Sequence, residues 1–163
     1  MNALKSSAKL PHARAMEKEL RRRLKTIGIL RFFGFRLVAA APGRVVISYR
    51  VRPHHLQVHR VVHGGVAATL ADTAGGLATI MSVAPGTRVA TVEMKINFLE
   101  PIERGTVTAD ARVIRCGRHF SVVECDLRDS EGRMAGKALM TFAIGVGESR
   151  EKDSSSRKPA GHS

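Results

Sequence analysis

The sequence predicts an α+β fold in which one long buried helix is wrapped by an antiparallel sheet of five or six strands. Three observations predict it. Residues 64–82, GGVAATLADTAGGLATIMS, are rich in Ala and apolar almost all round, as a buried helix is. After residue 88, segments alternate apolar and polar side chains with the two-residue period of a strand. The links between those segments are short and contain Gly105, Gly117 or Gly132, which suits an antiparallel meander.

Taken in order, residues 1–11 read as flexible and end at Pro11. Residues 12–25, HARAMEKELRRRLK, predict a short exposed helix with Ala15, Leu20 and Leu24 as a thin apolar edge. Pro42-Gly43 predicts a turn, and Val45, Val46 and Ile47 begin a strand that runs toward Val51. The long helix follows. From Ala90 the alternation is strict: Ala90, Val92, Met94, Ile96 and Phe98 fall on one face, with Thr91, Glu93, Lys95 and Asn97 on the other. Pro101 ends that run. Residues 106–114 place Val107, Ala109, Ala111 and Val113 inward, residues 119–127 form another strand, and residues 134–144 form the last. From Glu148 the chain has almost no apolar content and is expected to be disordered. The organisation is thus a basic N-terminal extension with a short helix over 1–25, one domain over 26–147, and a tail over 148–163.

Composition narrows the function classes. The 163 residues suit a single core, with 44% hydrophobic and 25% charged residues. Two cysteines, Cys116 and Cys125, make neither a disulfide framework nor a zinc site, so a reducing cytoplasm is the expected compartment. No apolar run is long enough to span a membrane. The net charge is +13, of which residues 1–25 carry eight basic and two acidic side chains. A basic surface suits a phosphorylated or nucleotide-bearing ligand. Nucleic acid is not the expected partner, because the basic arm lacks aromatics and any recognisable motif.

Asp72 is the anomaly within the helix. It is the only charged residue between His63 and Arg88, and its helical neighbours Ala68, Thr69, Gly75 and Gly76 offer no base. A buried carboxylate without a partner is costly, and folds tolerate one where a reactive group is wanted. Gly64-Gly65 opens the same helix, where free N–H groups and the helix dipole favour negative charge, as an oxyanion hole does. Gly64 and Asp72 stand eight residues apart, about 12 Å along a helix, so one reacting carbonyl cannot touch both. If they act together, the Asp comes from a second chain whose helix runs antiparallel, as in a two-fold dimer.

The stretch VVHGGVAATLADTAGGLATIMS, followed by RVATVEMKINFLEPIERG, resembles the hot-dog fold acyl-CoA thioesterases of the phenylacetate-degradation type, within the 4-hydroxybenzoyl-CoA thioesterase superfamily. The resemblance covers roughly residues 28–145. It implies a hot-dog fold and acyl-CoA thioester substrates, with coenzyme A as part of the substrate and no other cofactor. It implies that the Gly64 N–H polarises the thioester carbonyl and that Asp72 of the partner subunit is general base or nucleophile. Thr91 matches a family Ser or Thr that bonds the attacking water or the carboxylate. His63 matches the family His that shapes the turn. Six residues before that His the family usually has Asn; Gln57 stands here, with the same amide one methylene further out. The family is usually tetrameric, whereas the residue spacing itself speaks only for a homodimer.

Further residues complete the expectations. Gly65 is expected beside the substrate, and Arg88, Arg115 and Arg118 flank strand ends where an arginine fork suits the phosphates of coenzyme A. His55, His59 and His63 are spaced by four, yet Pro53 and the surrounding valines favour a loop, and no metal is expected. Three other functions compete with hydrolysis: a non-catalytic acyl-CoA binder, a nucleic-acid-associated protein using residues 9–25, and a dehydratase of the same fold.

Overall fold

The computed structural model describes residues 9–146. Two helices lead, α1 (Lys9–Thr26) and α2 (Gly28–Phe32), followed by strands β1 (Arg36–Ala41) and β2 (Arg44–Arg50). A single 3-10 turn at Pro53–His55 precedes the long helix α3 (Gly64–Ile80). Strands β3 (Val89–Phe98), β4 (Thr106–Cys116), β5 (Phe120–Arg128) and β6 (Met134–Ile144) complete the fold. The six strands form one antiparallel sheet in the order β1-β2-β4-β5-β6-β3.

Cross-strand pairs build the core on one face of that sheet. Val45, Ile47 and Tyr49 of β2 stand opposite Ala111, Ala109 and Val107 of β4, and all six are buried. Met140 of β6 stands opposite Val123 of β5 on the same side. Alanines at the sheet centre leave room for a helix, and α3 supplies a matching stripe of Ala67, Leu70, Ala71, Ala74, Gly75 and Ala78. Contact is closest at Gly75, where a β-carbon would lie 2.7 Å from Met140 Cε and 3.0 Å from the Phe142 ring. Cys125 lies in this core, and burial pushes its thiol up to about 12, so it is no nucleophile.

Three elements differ from expectation. Helix α1 is longer than residues 12–25 and is not a free arm: Leu20 and Leu24 are buried in the main core. Arg21 ties it to β1 by donating from Nη1 to the Leu37 carbonyl at 3.1 Å. Strand β1, RLVAAA, has weak strand propensity and an irregularity at Val38, which hides it from pattern reading. Its hairpin with β2 turns at Pro42-Gly43 as expected, with Gly43 at φ +77°. Helix α2 is a single short element between the two. The expected tail over 148–163 lies outside the described residues.

The helix α3 is not buried all round. Ala68, Thr69, Asp72, Thr73, Gly76 and Ile80 remain half-buried along its flank. Strand β3 is a sheet edge, paired only with β6, and no residue of it is fully buried. No helix among the described residues is long and apolar enough to cross a membrane.

Candidate active site

The entry to α3 is built by hydrogen bonds from the turn before it. Gln57 N–H donates to the Val61 carbonyl at 2.9 Å, Arg60 N–H donates to the Gln57 carbonyl at 2.8 Å, and Arg60 takes φ +60° to close the turn. His63 is the N-cap, and its Nδ1 accepts the Gly65 N–H at 2.9 Å. That acceptor role places the proton of the neutral imidazole on Nε2. Val66 and Ala67 donate to the His63 carbonyl at 2.9 and 3.3 Å. Gly64 therefore holds the one N–H of the first turn that meets no acceptor among the described residues.

Gly64 opens on a cavity of about 360 Å³ that Gln57, Val62, Ala67, Phe98 and Ile102 also line. Gln57 thus stands at the same cavity as Gly64. A β-carbon on Gly64 would lie 3.1 Å from the Phe98 ring, so glycine keeps the N–H open to that space. Gly65 differs in role from the expectation, because its N–H is already taken by His63.

Asp72 lies two turns on, half-buried, beside a second cavity of about 230 Å³. Its walls include Ile27, Leu30, Leu77, Val89 and Phe142, and Asp72 is the only charged side chain among them. The carboxylate has a partner from outside its own helix: Thr91 donates from Oγ1 to Asp72 Oδ1 at 2.7 Å. Strict alternation would have pointed Thr91 away from the helix, with Glu93. The ladder shifts register between Thr91 and Glu93, leaving Val92 as the extra residue of a bulge. Thr91 then stands opposite the buried Phe142 and Met94 opposite the buried Met140, so both face α3. The bulge re-aims one hydroxyl onto one carboxylate.

The Gly64 and Asp72 cavities share no lining residue. Arg88 lines a third cavity, with Ala84 and Gly86, that adjoins the Asp72 cavity through Ile80 and Val89. Arg115, near the end of β4, and Arg118, in the following turn, are exposed and line neither the Gly64 nor the Asp72 cavity. His55 is buried while His59 is exposed, and no three metal-binding side chains converge among the described residues. Sequence reading missed Phe98, Ile27 and Leu30 as site walls. Phe98 carried a signal, since it precedes the Leu99-Glu100-Pro101 strand end; Ile27 and Leu30 carried none, because α2 itself was unforeseen.

Comparison with known proteins gives a consistent result. The family model described as the Thioesterase superfamily matches residues 59–135. A candidate esterase of Saccharolobus solfataricus is 32% identical over 116 residues, which are 71% of this chain and 82% of that protein. The human protein named acyl-coenzyme A thioesterase 13 is 29% identical over 113 residues, 67% of this chain and 79% of that one. Among solved structures, a thioesterase of Haemophilus influenzae superposes with a TM-score of 0.73 and is 28% identical, covering 78% of this chain and 88% of that chain.

Proposed function

Because the chain belongs to the thioesterase superfamily and is a thioester hydrolase of hot-dog fold, we propose that it hydrolyses an acyl- or aryl-CoA to the carboxylic acid and free coenzyme A, at a site shared by two subunits. The observation that carries this reading is the split constellation itself. The Gly64 N–H is unpaired in one cavity, while the Asp72–Thr91 pair sits in another beside an uncovered strand edge. A two-fold partner laid along β3 and the half-buried flank of α3 would bring one subunit's Asp72 to the other's Gly64.

In that site the carbonyl oxygen accepts from the Gly64 N–H. As a general base, Asp72 takes a proton from water, and the hydroxide adds to the carbonyl carbon. The tetrahedral oxyanion is held by Gly64, the C–S bond breaks, and the coenzyme A thiolate takes up the proton. As a nucleophile, Asp72 would itself attack and form an anhydride that water then opens. Thr91 fixes the attacking oxygen in either course. No cofactor enters, since coenzyme A arrives with the substrate. Arg88, whose cavity adjoins that of Asp72, is the first candidate for a phosphate contact, with Arg115 and Arg118 from outside both cavities. The assembly is read as a homodimer paired into a tetramer, and the two free cysteines suit the cytoplasm.

Purified protein given a panel of aryl- and medium-chain acyl-CoA should release thiol, and Asp72→Asn should lower kcat by roughly 10²–10⁴-fold. Single turnover in ¹⁸O-water tests the anhydride course, because label enters the Asp72 carboxylate only where water opens an anhydride at the Asp72 carbonyl. Undiminished hydrolysis by Asp72→Asn refutes the assignment, and tight acyl-CoA binding with no turnover by the native chain would make it a binder.

A further inference from the structure

The basic arm of the sequence is not consumed by the site above. Its described part, α1, closes a separate cavity of about 570 Å³ between α1, α2 and β1. That volume lies within the roughly 300–1,000 Å³ of small-molecule sites. Arg21, Lys25, Arg31 and Arg36 line it with Leu24, Phe35 and Leu37, and among the described residues no acidic side chain does.

The four cations are not equivalent. Arg21 is held: Nε and Nη2 engage Glu17 Oε1 at 3.1 and 2.7 Å, and Nη1 engages the Leu37 carbonyl. Lys25, Arg31 and Arg36 are exposed, and among the described residues their side chains meet no acid and no carbonyl. Three free cations around one concavity repel each other when it is empty, and an anion relieves that repulsion. One carboxylate offers oxygens for a single guanidinium fork, whereas a diphosphate offers enough for all three. Leu24, Phe35 and Leu37 are almost wholly buried and form only a small apolar floor between the cations. A concavity with its cations gathered at one place fits a small ligand better than a duplex, which needs an extended basic stripe.

We infer that this cavity is a second ligand site, for a di- or polyphosphate such as that of a nucleotide, with the phosphates on Lys25, Arg31 and Arg36. Helix α2 is the wall between this site and the candidate active site, since Arg31 lines the basic cavity while Leu30 lines the Asp72 cavity.

The test is thermal melting and calorimetric titration of the full chain with ADP, inorganic pyrophosphate and adenosine. ADP and pyrophosphate at saturation should each raise Tm by about 2–8 °C, and adenosine by nothing measurable. The ADP shift should vanish in the Lys25→Gln/Arg31→Gln/Arg36→Gln variant. Arg31→Gln alone, an exposed change on a short helix, should weaken ADP about ten-fold and serves if the triple variant does not fold. The shift should persist in both Asp72→Asn and Arg88→Gln, which reads it apart from hydrolysis and from the candidate phosphate contact of the substrate. No ADP response in the native chain, an undiminished response in the arginine and lysine variants, or a response to DNA at equal phosphate concentration with none to ADP would each overturn the inference.

Discussion

Asp72 can orient a water or a carbonyl only if its own carboxylate is held, and Thr91 is the side chain that holds it. A hydrogen bond to a charged acceptor contributes about 1.5–3 kcal/mol, so Thr91→Ala should lower kcat by roughly 10–100-fold, with Thr91→Ser restoring most of it. Steady-state thiol release on both variants measures this. Gly64→Pro tests the opposite partner. Gly64 is the first helical residue, where proline is favoured, and His63 before it is already extended at ψ 131°. The change deletes the N–H but also sets a β-carbon 3.1 Å from the Phe98 ring, so Gly64→Ala, which adds that carbon and keeps the N–H, is its control: kcat should fall by about 10²–10³-fold in the proline variant and much less in the alanine one. His55 supports the same turn from below. It is 1% exposed, its Nδ1 accepts the Arg52 N–H at 3.1 Å, and its carbonyl accepts the His63 N–H at 2.8 Å. Burial, with His54 and Arg52 nearby, lowers its pKa below the usual imidazole value. A lowered folded pKa stabilises above the unfolded pKa of about 6.5 and loses that contribution as pH falls below it. Tm measured from pH 8 to 5 should therefore fall below about pH 6.5, and His55→Gln should flatten that limb.

At the scale of elements, the helix α3 is placed on the sheet by Gly75. Alanine there gains about 1 kcal/mol of helix propensity but presses a methyl into Met140 and the stiffer Phe142 ring. Overpacking costs about 1–3 kcal/mol, so Gly75→Ala should be net destabilising by about 1 kcal/mol in urea melts. The elements differ in how far the sequence reveals them. Helix α3 was legible because its composition is extreme, and β4 because Val107, Ala109 and Ala111 alternate without interruption. The pairing of Thr91 with Asp72 was legible only through resemblance. Alternation alone sends Thr91 outward, and a bulge at Val92 depends on the partner strand, which no local pattern reports. Helix α1 looked like a solvated arm because its buried edge is thin. Leu20 and Leu24 are nonetheless decisive, because β1 and α2 give them something to cover. The cavity walls supplied by Ile27 and Leu30 come from that same unforeseen corner.

At the scale of the whole molecule, a site divided between chains can be tested by mixing. Gly64→Pro and Asp72→Asn chains, each inactive alone, should recover about a quarter of native activity after unfolding and refolding together. Random pairing makes half the dimers mixed, and each mixed dimer has one intact site of two. Recovery confined to the mixture supports the shared site, and no recovery with normal dimer formation contradicts it. The uncovered edge of β3 gives the same assembly a second meaning. An unpaired strand edge is a template on which any extended chain can grow, and this one carries Val92 and Phe98, each more than half exposed. A lone subunit would be both idle and prone to aggregate, so in a crowded cell, solubility and turnover would depend on the same pairing.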